Sequence, residues 1–182
     1  MDFLELCKGR RSTRRFSEAE VPAEIIEKIV EAGIWAPSGH NEQSWFFSVV
    51  RDKSLQETLN LKTKALMKES PVSWIAQKGA DERFHLFYHA PAIIVVSGKI
   101  SAYSAIIDCS AATQNMLLMA HALGIGGCWI GLINAYLNLP ESKELLSIPE
   151  GYQGFYAIAL GYPEPEIIAK APQRKPDVIR WL

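Results

Sequence analysis

Hydrophobic residues in this chain change their spacing several times, and each change marks the start of a helix or a strand. Asp2 and Glu5 stand at capping-box spacing before Phe3, Leu6 and Cys7, which predicts a short first helix ending near Gly9. Pro22 suits a first helical position, and Ile25, Ile26, Ile29 and Val30 make one apolar stripe that Gly33 closes. A loop, Ala36-Pro37-Ser38-Gly39-His40-Asn41, precedes the strand-like run Trp45-Phe46-Phe47-Ser48-Val49-Val50. The charged region over residues 52–83 reads as one or two surface helices.

Ala92-Ile93-Ile94-Val95-Val96 is continuous, β-branched and bounded by Pro91 and Gly98, the pattern of a strand buried on both faces in the middle of a sheet. Over residues 103–123 the spacing is helical, but Ala105, Ile107, Ala111, Ala112, Met116, Leu118 and Ala122 leave almost no polar face. Such a helix is buried all round, which in so short a chain predicts a second subunit covering it. Insertion in a membrane is the competing explanation, and Asp108, Gln114, Asn115 and His121 argue against it. Gly124 ends the helix, Cys128-Trp129-Ile130 resumes as a short strand or extended loop, and a last strand is expected over residues 154–160. The tail, residues 170–181, is rich in prolines and charges yet ends in Val178, Ile179 and Trp181, so it is expected to wrap over something, such as the neighbouring subunit.

A length of 182 residues suits one domain, residues 1–182, or one subunit of a compact dimer. With 19 Lys and Arg against 20 Asp and Glu, the chain as a whole has no electrostatic attraction for nucleic acid or an anionic membrane. Cys7, Cys109 and Cys128 are odd in number and widely spaced, which argues against a disulfide framework or a zinc site. The N-terminus has acids among its apolar residues and no long apolar core, so it does not read as a signal peptide, and a reducing cytoplasm is the default expectation.

Against this balanced charge, Arg10-Arg11-Ser12-Thr13-Arg14-Arg15 stands out. Guanidinium forks match phosphate oxygens in pairs and the Ser12 hydroxyl can complete a cradle, so the run reads as a phosphate clamp, the alternative being a solvated basic turn. Other candidates carry plainer explanations. His85 and His89 have i, i+4 spacing and could share a metal on one helical face, but no further ligand completes a site, so packing or surface histidines are the simpler reading. His40 could touch substrate or phosphate or be a turn residue. Cys128 could be redox-active or a small buried hydrophobe. Trp45, Trp74 and Trp129 could each stack on a ring.

The order of Arg10-Arg11-Ser12-x-Arg14, Ala36-Pro37-Ser38-x-x-Asn41-x-Gln43, Ala90-Pro91, Gly124-Ile125-Gly126 leading to Trp129-Ile130-Gly131, and Arg174-Lys175-Pro176 resembles the nitroreductase family of FMN-dependent oxidoreductases, over nearly the whole chain. The resemblance implies an α+β three-layer fold with a central, mostly antiparallel sheet flanked by helices, in an interlocked homodimer that exchanges C-terminal tails. Carried over by position, Arg10, Arg11, Ser12 and Arg14 would hold the FMN phosphate and ribityl chain, and Arg174, with Lys175 beside it, would add positive charge from the tail. Pro37, Ser38 and Asn41, with Gln43 of the same motif, would approach the flavin from the other subunit. Trp129, Ile130 and Gly131 would lie along the ring. Larger relatives often place an acid near the flavin where Ile130-Gly131 stands here, and a basic residue expected before Arg174 is Pro172, so Lys170 or Lys175 would substitute.

The activity this implies is ping-pong electron transfer from NAD(P)H, a transient visitor, through tightly bound FMN to a small acceptor such as a nitroaromatic or quinone, with no protein nucleophile. A specialised flavin-binding relative, acting in flavin destruction, dehalogenation or substrate dehydrogenation, is the alternative. A nucleic-acid module built on residues 10–15 is a third reading, and no nucleic-acid fold signature supports it. Gly124, Gly126 and Gly127 begin like a dinucleotide fingerprint, but Trp129 occupies the third glycine position and the run follows a helix.

Overall fold

Residues 2–164, 171–175 and 177–182 are described by a computed structural model of the chain. Four antiparallel strands form one sheet in the order β1-β2-β4-β3, with β1 at Trp45–Val50, β2 at Ala92–Lys99, β3 at Gly126–Ile130 and β4 at Tyr152–Gly161. The helices are α1 (Phe3–Gly9), α2 (Ala23–Ile34), α3 (Lys53–Lys68), α4 (Ser73–Ala80), α5 (Ala105–Ala122), α6 (Asn134–Leu137) and α7 (Pro140–Leu145). None of them, among the described residues, is long and apolar enough to cross a membrane.

The unbroken apolar run of β2 is explained by its central place. Ile93 and Val95 face a core built with Leu59 and Met67 of α3, Tyr136 and Leu137 of α6, and Ala157 and Ala159 of β4. Ile94 and Val96 face the opposite core, with Ile26 and Ile29 of α2, Cys109, Met116 and Leu117 of α5, and Ile158 and Leu160 of β4. The result is helix, sheet, helix in three layers, the architecture expected above, and the sheet is antiparallel at every pairing. Phe155 of β4 is an extra residue in the β2–β4 register, since Val96 pairs with Tyr156 but Ser97 with Gly154, a bulge that redirects the end of the strand.

Three local expectations are corrected. Asp2 precedes α1 but its side chain makes no cap hydrogen bond, and Glu5 accepts from Lys8 Nζ at 2.9 Å instead. Pro22 sits one residue before α2, which runs on through Gly33 to Ile34. Gly33 is there for close approach rather than as a stop, because a Cβ would stand 2.8 Å from Met116 Cγ on α5. The end of α2 is held by Asn115, whose Nδ2 donates to the Ala32 carbonyl at 3.1 Å. On α5, Asp108, Cys109, Ala112, Met116 and Leu117 are buried in the single chain, while Ile106 and Ile107 stay exposed, an open apolar face of the kind a second subunit was expected to cover.

In α3, two inward-facing polar side chains tie down backbone at the end of β1 and in the segment leading into β2. Gln56 Nε2 donates to the carbonyls of Val50 and Pro91 at 3.1 and 3.3 Å, and Asn60 Oδ1 accepts from the Leu86 N–H at 2.9 Å. The described part of the tail is exposed, with Val178, Ile179 and Trp181 all open to solvent. Lys170 and Pro176 lie outside the described residues.

Replacing the fully buried Ile94 by Ala removes side-chain packing at the centre of one core, and the expected loss is about 2–4 kcal/mol. Urea unfolding checks it, and a loss below about 1 kcal/mol would show a core less tightly filled than described.

Candidate functional site

Residues 10–17 are anchored at two points, on Gly127 of the edge strand β3 and on the chain just past the end of β4. The Thr13 N–H donates to the Gly127 carbonyl at 3.0 Å within a parallel bridge of Ser12 with Gly127. The Ser17 N–H donates to the Tyr162 carbonyl at 2.9 Å beside a bridge of Phe16 with Pro163. Two glycines make room: a Cβ at Gly126 would stand 2.6 Å from Thr13 Oγ1, and one at Gly127 2.8 Å from Leu117 Cδ2. The basic segment therefore touches β3 at Gly127 and the chain just past β4 at Tyr162 and Pro163, and it walls a cavity of about 710 Å3 with Leu117, His121, residues 124–127, Pro163 and Glu164.

Among the described residues, the guanidiniums of Arg10, Arg11, Arg14 and Arg15 form no ion pair with a carboxylate. Arg11 turns back and donates through Nη1 to the Lys8 and Arg10 carbonyls, each at 2.6 Å, closing the end of α1. Its Nε is buried without a partner. The Arg14 guanidinium lies 5.9 Å from the centre of the Tyr88 ring, a cation–π distance. His121, at the end of α5, is kept below its ordinary pKa of 6.5 by burial and by the nearby Arg10 and Arg11 charges.

The second loop, residues 37–44, stands at the other end of α5 and does not line this cavity. His40, Asn41 and Gln43 have φ of 52°, 55° and 47°, left-handed backbone that disfavours side chains by about 1 kcal/mol apiece. Hydrogen bonds hold it there. Ser38 Oγ accepts from the Gln43 N–H at 3.0 Å, and Glu42 Oε2 accepts from the Tyr103 N–H at 3.0 Å. Buried Asp108 accepts from the Gly39 N–H at 3.0 Å and from the Ser44 and Ser104 hydroxyls at 2.8 Å each. Burial pushes the Asp108 carboxyl up, but the bonds from Gly39, Ser104 and Ser44 together outweigh it and hold the group below its ordinary 3.8. Neither Asp108 nor His121 emerged as a site residue from the sequence. A lone carboxylate in an otherwise apolar helix was the available signal, since such a group must find partners.

At the C-terminal end of β3, Ile130 is buried, Trp129 is partly exposed and packs on Tyr156 at 4.4 Å between ring centres, and Gly131 is exposed just beyond the strand. Arg174 and Lys175 are in the exposed tail. One chain thus brings Arg10, Arg11, Ser12 and Arg14 together, and leaves residues 37–43, 129–131 and 174–175 as separate surfaces. Cys128 is buried and burial pushes its thiol pKa up, only partly offset by Arg14 and Arg10.

His85 and His89 lie in a turn, not on a helix. Their rings stack at 4.0 Å, His85 Nδ1 accepts from the Phe87 and His89 N–H groups at 3.2 Å, and His85 Nε2 lies 3.3 Å from Glu57 Oε2. Burial, then the neighbouring His89, pulls the His85 pKa down against the pull of Glu57. With Nδ1 committed to backbone, His85 is a packing residue.

A three-layer fold with a basic segment anchored to the edge strand is a recognisable combination, and the match to known proteins is correspondingly broad. Residues 7–162 match the model of the Nitroreductase family, and the chain belongs to that family. A provisionally named NADH dehydrogenase/NAD(P)H nitroreductase of Archaeoglobus fulgidus is 38% identical over 90% of this chain and 86% of its own length. The crystal structure of a nitroreductase with bound FMN from Bacteroides fragilis superposes with a TM-score of 0.92 at 32% identity, covering 100% of both chains. An iodotyrosine deiodinase of Haliscomenobacter hydrossis is 26% identical over 96% of this chain and 85% of its own.

The depressed Asp108 carboxyl stabilises the fold above the carboxyl's ordinary 3.8, and that contribution is lost as pH falls through its lower folded value. Asp108→Asn should therefore unfold more easily than wild type at pH 7, with the gap narrowing as the pH drops below the usual carboxylate range. Thermal unfolding across pH checks this, and a gap that stays constant would contradict it.

Proposed function

We propose that this chain is an FMN-dependent oxidoreductase passing electrons from a reduced nicotinamide nucleotide to a small acceptor, such as a nitroaromatic or a quinone, in a ping-pong cycle. The observation that carries this reading is the set of guanidiniums that, among the described residues, have no carboxylate partner, along a cavity of about 710 Å3, a size suited to a cofactor. A dianionic phosphate needs several cations, and these residues fit it. Arg10, Arg14 and Ser12 would bind its oxygens directly, while Arg11, tied to backbone, would act through its field. Arg174 and Lys175 would add charge from the tail.

Bound FMN would supply the chemistry, taking a hydride from one partner and giving electrons to the next. The protein's own share is placement and charge. Trp129, braced by Tyr156, would give the ring an apolar wall, and the Ile130 and Gly131 N–H groups would offer donors along the ring. Pro37, Ser38, Asn41 and Gln43 would reach the ring from a second copy of the chain. That pairing is favoured by the apolar side chains one chain leaves open, Ile34 and Trp35 at the end of α2 and Ile106 and Ile107 on α5. The free cysteines are consistent with a reducing compartment such as the cytoplasm.

The similarity to an iodotyrosine deiodinase across 96% of the chain favours reductive dehalogenation as the second reading. Steady NAD(P)H consumption with a nitroaromatic or quinone, giving parallel double-reciprocal plots, supports the first. Tight FMN with negligible turnover on such acceptors favours the second.

Replacing Arg10 and Arg14 together by Ala should weaken FMN binding by about 100-fold, from two lost charge-assisted contacts, and leave the apoprotein's thermal unfolding unchanged. Undiminished FMN retention would count against the clamp. Removing the chain from Pro172 onward should lower both FMN affinity and the dimer fraction in sedimentation, and a truncated protein that stays dimeric and flavin-loaded would refute the tail's role.

A further inference from the structure

Asp108 touches none of the residues that would bind the phosphate, yet its bonds converge on the loop that would meet the ring. Its carboxylate is 2% exposed, and an ion buried so deeply needs charge-assisted partners to be tolerated. Two of its partners, the Gly39 N–H and the Ser44 hydroxyl, bracket the left-handed stretch of His40, Asn41 and Gln43, and the third is the hydroxyl of Ser104, the residue just before α5. The fit is tight enough that any Cβ at Gly39 would collide with Ser104 Oγ. Residues with unfavourable φ persist only where their surroundings over-determine them, and here one carboxylate does so from both sides.

We infer that Asp108 is a positioning residue for the flavin ring: through Gly39, Ser44 and Ser104 it holds residues 38–44 in the single conformation that presents Ser38, Asn41 and Gln43 to the ring. This rests on the FMN reading above. It separates the site into two independent parts, a clamp for the phosphate and a loop for the ring. Asp108 therefore governs affinity for any ligand carrying the ring, with or without phosphate.

Riboflavin, which has the ring and no phosphate, distinguishes the two parts. Asp108→Asn keeps the shape and one acceptor but loses the charge, and its amide faces hydroxyls that must turn to meet it. The variant should bind FMN and riboflavin each roughly tenfold more weakly and alter the visible circular dichroism of bound flavin. Arg10→Ala should weaken FMN and leave riboflavin unchanged. A folded Asp108→Asn protein, judged by far-ultraviolet circular dichroism, with wild-type riboflavin affinity and visible spectrum overturns the inference. If that variant does not fold, Ser104→Ala decides: a smaller loss of riboflavin affinity supports it and no loss overturns it. Wild-type protein that binds neither flavin overturns the FMN reading and this inference with it.

Discussion

The hydrogen bond from the Thr13 N–H to the Gly127 carbonyl is the contact on which the site depends. It anchors the basic segment to β3 at one end, and the bond from the Ser17 N–H to the Tyr162 carbonyl anchors it past β4 at the other. Thr13 packs where a Cβ at residue 126 would stand, so the glycine there lets the segment come this close, while Gly127 admits Leu117 of α5. Like charges repel, and no carboxylate among the described residues forms an ion pair with them, although Glu164 lines the same cavity. A bound anion relieves that repulsion, which is why the segment is suited to a phosphate.

The sheet behind this edge supplies the rigidity. β2 and β4 are buried on both faces, so β3 is attached to the least deformable part of the molecule, and Trp129 to Gly131 emerge from its end in a defined place. α5 spans the same layer and links the two loops: its first turn carries Asp108 against residues 38–44, and its last turn carries His121 against the basic segment. One helix buried against the sheet thus holds the proposed phosphate clamp at one end and, at the other, the strained loop that would serve the site of a second copy.

Much of this was legible in the chain. The apolar run of β2, the stripe of α2 and the concentration of arginine were each readable because the signal lies in neighbouring residues. What was not legible depends on partners far apart. Asp108 meets Gly39 and Ser44 from 69 and 64 positions away, and no spacing rule announces such a bond. Arg11 was indistinguishable from Arg10 and Arg14 until its Nη1 was seen folded onto the end of α1. Gly33 read as a stop because Met116, whose bulk requires a glycine there, lies on another helix. His85 and His89 read as packing or surface residues, and only their supposed helical face fails, because Tyr88 and His89 adopt left-handed backbone, φ 55° at both.

The visible absorption spectrum of the protein as purified, followed by heat release and chromatographic identification of the chromophore, tests the central claim most directly. The account predicts FMN at about one per chain. A colourless protein that also fails to take up added FMN would contradict it, and would leave the arginines near β3 as a site for some other anion.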